Sequence, residues 1–253
     1  MIQSHLRYGI VALIILLSPV IHANTVHLTS LEWPPYASQA LPAKGASTAV
    51  AKAAFAAMGY ELKVTFLPWS RAVALAQNSD QYVGYFPEYF FETSDFVFSD
   101  AIGQGPLGFV EHKEAPIHWQ TLDDLRGKTI GVVQDYVNTE AFDDKVANNE
   151  IDAEPVLTDV QNIMKVAHKR IELAVIDPYV LAHSLNHDPR LHFAQEQVQM
   201  NATLLVIKEL HVAFNNTEQG RHYQALFNKG LEKIDVDAIM AEHMPSLSDH
   251  DSP

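Results

Sequence analysis

The chain has 253 residues, 31 acidic and 17 basic side chains, a formal charge of −14 and 47% hydrophobic residues. That negative balance disfavours nucleic acid and anionic membrane surfaces as partners. It contains no cysteine, which excludes disulfides, thiolate metal sites and thiol nucleophiles, so an apolar core must hold the fold.

Residues 1–23 read as an export signal. His5 and Arg7 precede an apolar run over 10–17, Pro19 breaks the run, and Ile21-His22-Ala23 ends on a small residue suited to cleavage. The run is shorter than the roughly 20 residues of a membrane-spanning helix. Cleavage after Ala23 leaves 253 − 23 = 230 residues and removes one charge, that of Arg7, for a net −15. Export to the periplasm is the expected outcome, with a polar tail over 246–253.

Next in the chain, residues 25–31 (TVHLTSL) alternate as a strand. Glu32, Trp33 and Tyr36 follow on a Pro-Pro loop, and at the end of a first strand such a loop stands at the lip of a cleft. Residues 47–58 have helical spacing, with Ser47 as N-cap and Gly59 as stop. A strand over 61–67, a short helix over 69–77 and a strand over 82–86 complete a strand–helix–strand–helix–strand unit, the pattern of a parallel sheet covered by helices.

The rhythm then restarts. A strand over 107–111 leads to a helix-start signal at Thr121, a buried strand over 128–133 and a helix over 139–149. Residues 159–170 put Val160, Ile163, Met164 and Ala167 on one face. Residues 173–177 form a buried strand ending in a carboxylate, and Pro178 opens a helix at its favoured first position. A late strand over 204–208 and an amphipathic helix over 223–234 close the chain. The reading is a two-lobed α/β protein: lobe 1 over 24–110 plus 205–245, lobe 2 over 111–204, with extended crossings near 107–111 and 203–208.

Five stretches in this order and spacing resemble the bacterial periplasmic solute-binding proteins of the amino-acid-binding type, which feed ABC importers. They are EWPPY at 32–36, LPWSRAVALAQ at 67–77, FVFSD at 96–100, LDDLRGKTIGVVQ at 122–134 and KRIELAVIDPYVL at 169–181. The resemblance covers nearly the whole chain after the signal. It implies the type II periplasmic-binding-protein fold, capture of a small polar solute such as an amino acid or amine in an interlobe cleft, and a membrane permease or sensor as partner. It implies a monomer, no cofactor, no metal and no catalysis.

Two departures bear on the ligand. The family's Thr-x-x-Arg, whose Arg clamps a carboxylate, is replaced by EYFFETSDFVFS at 88–99. Its Gly-Thr/Ser-Thr after the lobe-two strand is replaced by Gln134-Asp135-Tyr136-Val137-Asn138. Asp177 matches the family's ammonium-binding acid, and Arg71 is the basic residue nearest in the motif map to a lost carboxylate clamp.

The candidate ligand residues are therefore Glu32, Trp33, Tyr36, Trp69, Arg71, Tyr85, Glu88, Asp135, Asn138 and Asp177, each against a plainer role. Trp33 and Tyr36 either stack on a ligand or plug the Pro-Pro turn. Trp69 either floors the cleft or packs in lobe 1. Tyr85, Glu88 and Tyr89, placed just past a strand end, either meet an amine or pack beneath it. Asp135, Asn138 and Asp177 are each also helix-cap candidates. His183 and His187 have i, i+4 spacing, but HSLNH lacks the HExxH glutamate and reads as surface histidines. The alternative on the same scaffold is a periplasmic enzyme of the cyclohexadienyl dehydratase kind, with Glu88 or Glu172 as catalytic acid; a ligand-sensing partner of a membrane receptor is a further one.

Overall fold

The structure, a computed structural model, describes residues 24–245. Residues 1–23, expected to be an export signal, and the tail after Pro245 lie outside the described residues. No helix among the described residues is long and apolar enough to cross a membrane.

The strands are β1 (Asn24–Ser30), β2 (Tyr60–Phe66), β3 (Gly84–Tyr89), β4 (Phe96–Phe98), β5 (Gly103–His112), β6 (Thr129–Val133), β7 (Asp152–Val156), β8 (Leu173–Ile176), β9 (Val198–Met200) and β10 (Val206–Asn215). The helices are α1 (Ala46–Ala57), α2 (Trp69–Asn78), α3 (Glu140–Ala147), α4 (Asp159–Ala167), α5 (Pro178–His187), α6 (Glu218–Leu231) and α7 (Val236–His243). The strands run in the order β2-β1-β3-β10-β5-β8-β6-β7, with β4 beside β10 and β9 beside β5.

Both ends of this sheet are parallel: β1 with β2 and β3, β6 with β7 and β8. The middle is antiparallel. The first half of β5 pairs with β10, Gly103 opposite Leu210 through Leu107 opposite Val206. Its second half pairs with β8, Gly108 opposite Ile176 through Glu111 opposite Leu173. The same strand thus belongs to two half-sheets, and the chain returns alongside it, Leu205 N–H donating to Leu107 O at 2.8 Å. Two adjacent extended crossings between two α/β halves leave a cleft between them.

Several expectations change. Ser47 is not the cap of α1 but lies buried inside it, with Gly45 at the N-cap and φ at +95°. The orphan N–H groups of a helix start need acceptors, and backbone supplies them: Ala46 N–H donates to Pro35 O and Ser47 N–H to Tyr36 O. The aromatic loop is thereby fastened to α1. A Cβ on Gly45 would come within 2.6 Å of Tyr36 O, so the position suits only glycine on both counts.

Tyr85, Glu88 and Tyr89 lie within β3, which is buried throughout, rather than past its end. Pro87 hides this in the sequence, because proline donates nothing to a ladder; pairing with β10 across a register shift between His211 and Ala213 carries the strand past it. Strands β7 and β9 and helix α7 carried no expectation. The late strand extends to Asn215, and the last amphipathic helix begins earlier, at Glu218, where Thr217 caps it through Gly220 N–H.

Candidate ligand-binding cleft

The loop after β1 brings three groups to the gap. Trp33 and Tyr36 stack with ring centroids 4.5 Å apart. Tyr36 is fully buried, and its Oη donates to Asp177 Oδ2 at 2.8 Å from across the gap. Glu32 is exposed at the rim, where Oε1 accepts from Gln39 N–H.

Asp177 fills the capping role considered for it, and its other oxygen is turned toward the first lobe. It caps α5, Oδ1 accepting from Tyr179 N–H at 2.7 Å and Val180 N–H at 3.2 Å, while Oδ2 faces the first lobe. Burial pushes its pKa up to about 7, against the pull of the Tyr36 hydroxyl and the two N–H groups. Gly105 on β5 makes this meeting possible: a Cβ there would sit 2.5 Å from Tyr36 Oη and 2.7 Å from Asp177 Oδ2.

A second set of contacts joins α2 to the loop after β6. Trp69 Nε1–H donates to Asp135 O at 3.1 Å, and Ser70 Oγ donates to Asp135 Oδ2. Asp135 has φ +64°, a left-handed conformation that aspartate tolerates better than most side chains. Trp69 is half-buried, edge-on to Tyr85 in its own lobe and to Tyr136 in the other, so it packs and lines the cleft at once. Asn138 serves its own loop, donating through Nδ2 and N–H to the Asp143 carboxylate at 2.8 and 2.9 Å. Its carbonyl accepts from Lys208 Nζ on β10.

β3 supplies the floor. Glu88 accepts from Tyr85 Oη at 3.2 Å and from Tyr89 N–H at 2.8 Å. Burial raises its pKa to about 7, moderated by those bonds and by Lys208. Lys208 Nζ stands 4.3 Å from the centre of the Tyr89 ring, and burial lowers its pKa.

Arg71 does not join the group. It is exposed on α2 and has no ion pair among the described residues; its neighbours Trp69 and Ser70 line the cleft and it does not. Glu172 is likewise distant, exposed and accepting from Thr129 N–H. His183 and His187 stack at 4.2 Å on the cleft face of α5, and no group of three metal-ligating side chains occurs among the described residues.

Two of the spaces between the lobes are lined by these residues. An outer groove of about 890 Å³ runs from Glu32, Trp33 and Trp69 to Tyr136, Asp159 and His183. Adjoining it, a smaller space of about 30 Å³ is lined by Leu31, Trp33, Trp69, Glu88, Tyr89 and Tyr136, among others. Sequence reasoning missed Tyr136, Asp159 and Lys208. Tyr136 stood inside the flagged loop, Asp159 read only as a helix start, and Lys208 only as a strand end.

No protein-family model and no curated protein sequence matches the chain. Solved structures do. A histidine kinase sensor domain with similarity to periplasmic binding proteins superposes at a TM-score of 0.72 and 16% identity, over 87% of this chain and 96% of that one. An ancestral arginine-binding protein bound to arginine gives 0.69 at 15% identity, over 87% and 96%. The GluR0 ligand-binding core from Nostoc punctiforme, in complex with L-glutamate, gives 0.66 at 15% identity, over 86% and 96%. These likenesses establish the architecture: the chain has the two-lobed periplasmic-binding-protein fold of type II.

Proposed function

We propose that this chain is an exported solute-binding protein. Its lobes, 24–110 plus 205–245 and 111–204, close on a small polar solute, an amino acid or amine, and the closed form is presented to an ABC importer in the membrane. The observation that carries this reading is the convergence, between the lobes of a binding-protein fold, of Trp33, Trp69, Tyr89 and Tyr136 with Glu88, Asp159 and Asp177. Aromatic walls with a few polar groups are the usual make-up of a small-ligand site. Lobe closure by hinge motion is the repertoire of such proteins. A thermal-shift screen of the purified protein against amino acids, amines and betaines tests it. A ligand raises the melting temperature in proportion to its excess over Kd; no shift with any of them would overturn the reading.

Docking on a membrane sensor is the other use of a closed lobe pair, and structural neighbours include a histidine kinase sensor domain and the Bordetella pertussis BvgS VFT2 domain. Deleting the gene separates the two: loss of solute uptake indicates an importer, loss of a transcriptional response a sensor.

An enzyme on this scaffold has one supporting observation, the raised pKa of Glu88. Its dicarboxylate substrate would require cationic clamps. Arg190, at the groove edge, is held by its own Asp188 at 2.6 Å, and Arg71 lies outside. A prephenate turnover assay decides the point, and we expect no turnover.

A further inference from the structure

His183 and His187 take no part in the hydrogen bonds that join the lobes. They stand one turn apart on α5, and residues four apart share a helix face. Their rings lie side by side, 17° from parallel, with centroids 4.2 Å apart. His187 is exposed and His183 half-buried. Both line the outer groove toward Trp33 and Trp69. Both also line a second groove, where α5 faces Pro42, Glu242 and His243 of lobe 1. The pair therefore forms part of the wall between the lobes and is open to small solutes from either side.

One hydrogen bond decides what the pair can do. His187 Nδ1 lies 2.9 Å from the His183 carbonyl oxygen. A carbonyl oxygen only accepts, so Nδ1 carries the hydrogen and donates it. In the neutral ring this leaves the lone pair on Nε2. A metal-bound imidazole is ordinarily held in this way, its other nitrogen donating to a carbonyl or carboxylate that sets tautomer and ring orientation. The His183 ring has no hydrogen bond among the described residues, so it is free to turn toward its neighbour. Two neutral imidazoles at i, i+4 are the chelating pair that helical zinc sites use.

We propose that His183 and His187 form a two-imidazole site for a late first-row divalent ion, Cu2+, Ni2+ or Zn2+, on the cleft wall. The stacked rings need only turn about their terminal torsions for both nitrogens to meet one ion. Among the described residues no third His, Asp or Glu is placed to complete a cage. The ion thus keeps positions for water and for nitrogen or oxygen donors that enter the groove. Imidazole ligands rank copper above nickel and zinc, and they exclude magnesium and calcium, which take oxygen. The site does not depend on the solute-binding reading, because α5 carries both ligands.

The test is isothermal titration of the untagged, metal-free mature protein with the chlorides of Cu2+, Ni2+, Zn2+ and Mg2+, at about pH 7.5, where an ordinary imidazole is mostly neutral. One equivalent of Ni2+ and of Zn2+ is expected to bind, Cu2+ more tightly, and Mg2+ not at all. His183→Ala and His187→Ala should each weaken Ni2+ and Zn2+ by about ten-fold or more, with circular dichroism unchanged. His222→Ala, exposed on α6, should leave both affinities as they are. Pulsed electron paramagnetic resonance of the one-equivalent Cu2+ complex should count two imidazole nitrogens, and fewer in either variant. Binding by none of the three ions would overturn the proposal, as would Ni2+ and Zn2+ affinities untouched in either α5 variant. Mg2+ binding as tightly would overturn it too, by placing the ion on carboxylates.

Discussion

Tyr36 and Asp177 show how one side chain can close a cleft. The Tyr36 ring stacks on Trp33 within its own loop, and across the gap it meets Asp177 through its hydroxyl and Tyr179 edge-on at 6.5 Å. Tyr36→Phe keeps the stacking and removes the donor, leaving Asp177 Oδ2 buried with no partner. A buried acceptor left unsatisfied costs about 1–3 kcal/mol, and the urea midpoint should fall accordingly; an unchanged midpoint would mean the lobes already part in solution. Asp177→Asn tests the charge. The folded pKa of about 7 lies above the usual 3.8, so the folded state holds the proton more tightly than the unfolded one. That stability is complete below about 3.8 and is lost as pH rises through about 7. The melting temperature of the Asn variant should therefore gain on wild type across that window. Parallel curves would show that the carboxylate is solvated.

Between elements, α6 and α1 approach so closely that Gly230 leaves no room for a methyl group: a Cβ there would lie 2.1 Å from Ala54 O. The obstacle is backbone and cannot rotate away. Gly230→Ala gains helix propensity, worth about 1 kcal/mol on an exposed helix, but must push two helices apart, and overpacking costs about 1–3 kcal/mol. We expect net destabilisation in chemical unfolding, whereas a more stable variant would mean that α6 can shift. This contact illustrates what the sequence hides. The strand–helix alternation and Pro178 at the start of α5 were legible because their signals are local, whereas α3 is capped by Thr139 and not by Asp135 or Asn138. β3 beyond Pro87, and the full length of β10, depend on pairing between segments over a hundred residues apart. Strand β7 is short, interrupted by Pro155 and mostly exposed, so it has no apolar alternation to read. At the cleft, Trp33, Tyr36, Trp69 and Asp177 could be placed beside the gap because motif order puts them after strands, whereas Glu88, expected past a strand end, lies inside β3. Asp159 and Lys208 were not, since an acid opening a helix and a lysine in a strand look like solvated residues until the other lobe covers them.

At the scale of the molecule, the lobe closure proposed above would remove water from three carboxylates, Glu88, Asp159 and Asp177, each with its pKa raised to about 7 by burial. Closure therefore takes up protons that an open, hydrated cleft releases. The closed form is favoured below that range and weakened as pH rises through about 7. His183 acts in the opposite sense, because burial lowers its pKa from 6.5, so its charging penalises the closed form only on the acid side. Between about pH 6.5 and 8.5 the carboxylates dominate. Small-angle scattering should find a radius of gyration near 17 Å for a compact body of this length at the lower pH, and a larger one at the higher. A bound amine supplies the missing positive charge, so it should restore the compact value at high pH, and its affinity should rise over the same interval as the carboxylates lose their protons. The triple variant Glu88→Gln, Asp159→Asn, Asp177→Asn should hold one radius throughout. If the wild-type radius also stays constant, the three acids are not buried by closure, and the charge of the cleft does not control how the lobes move.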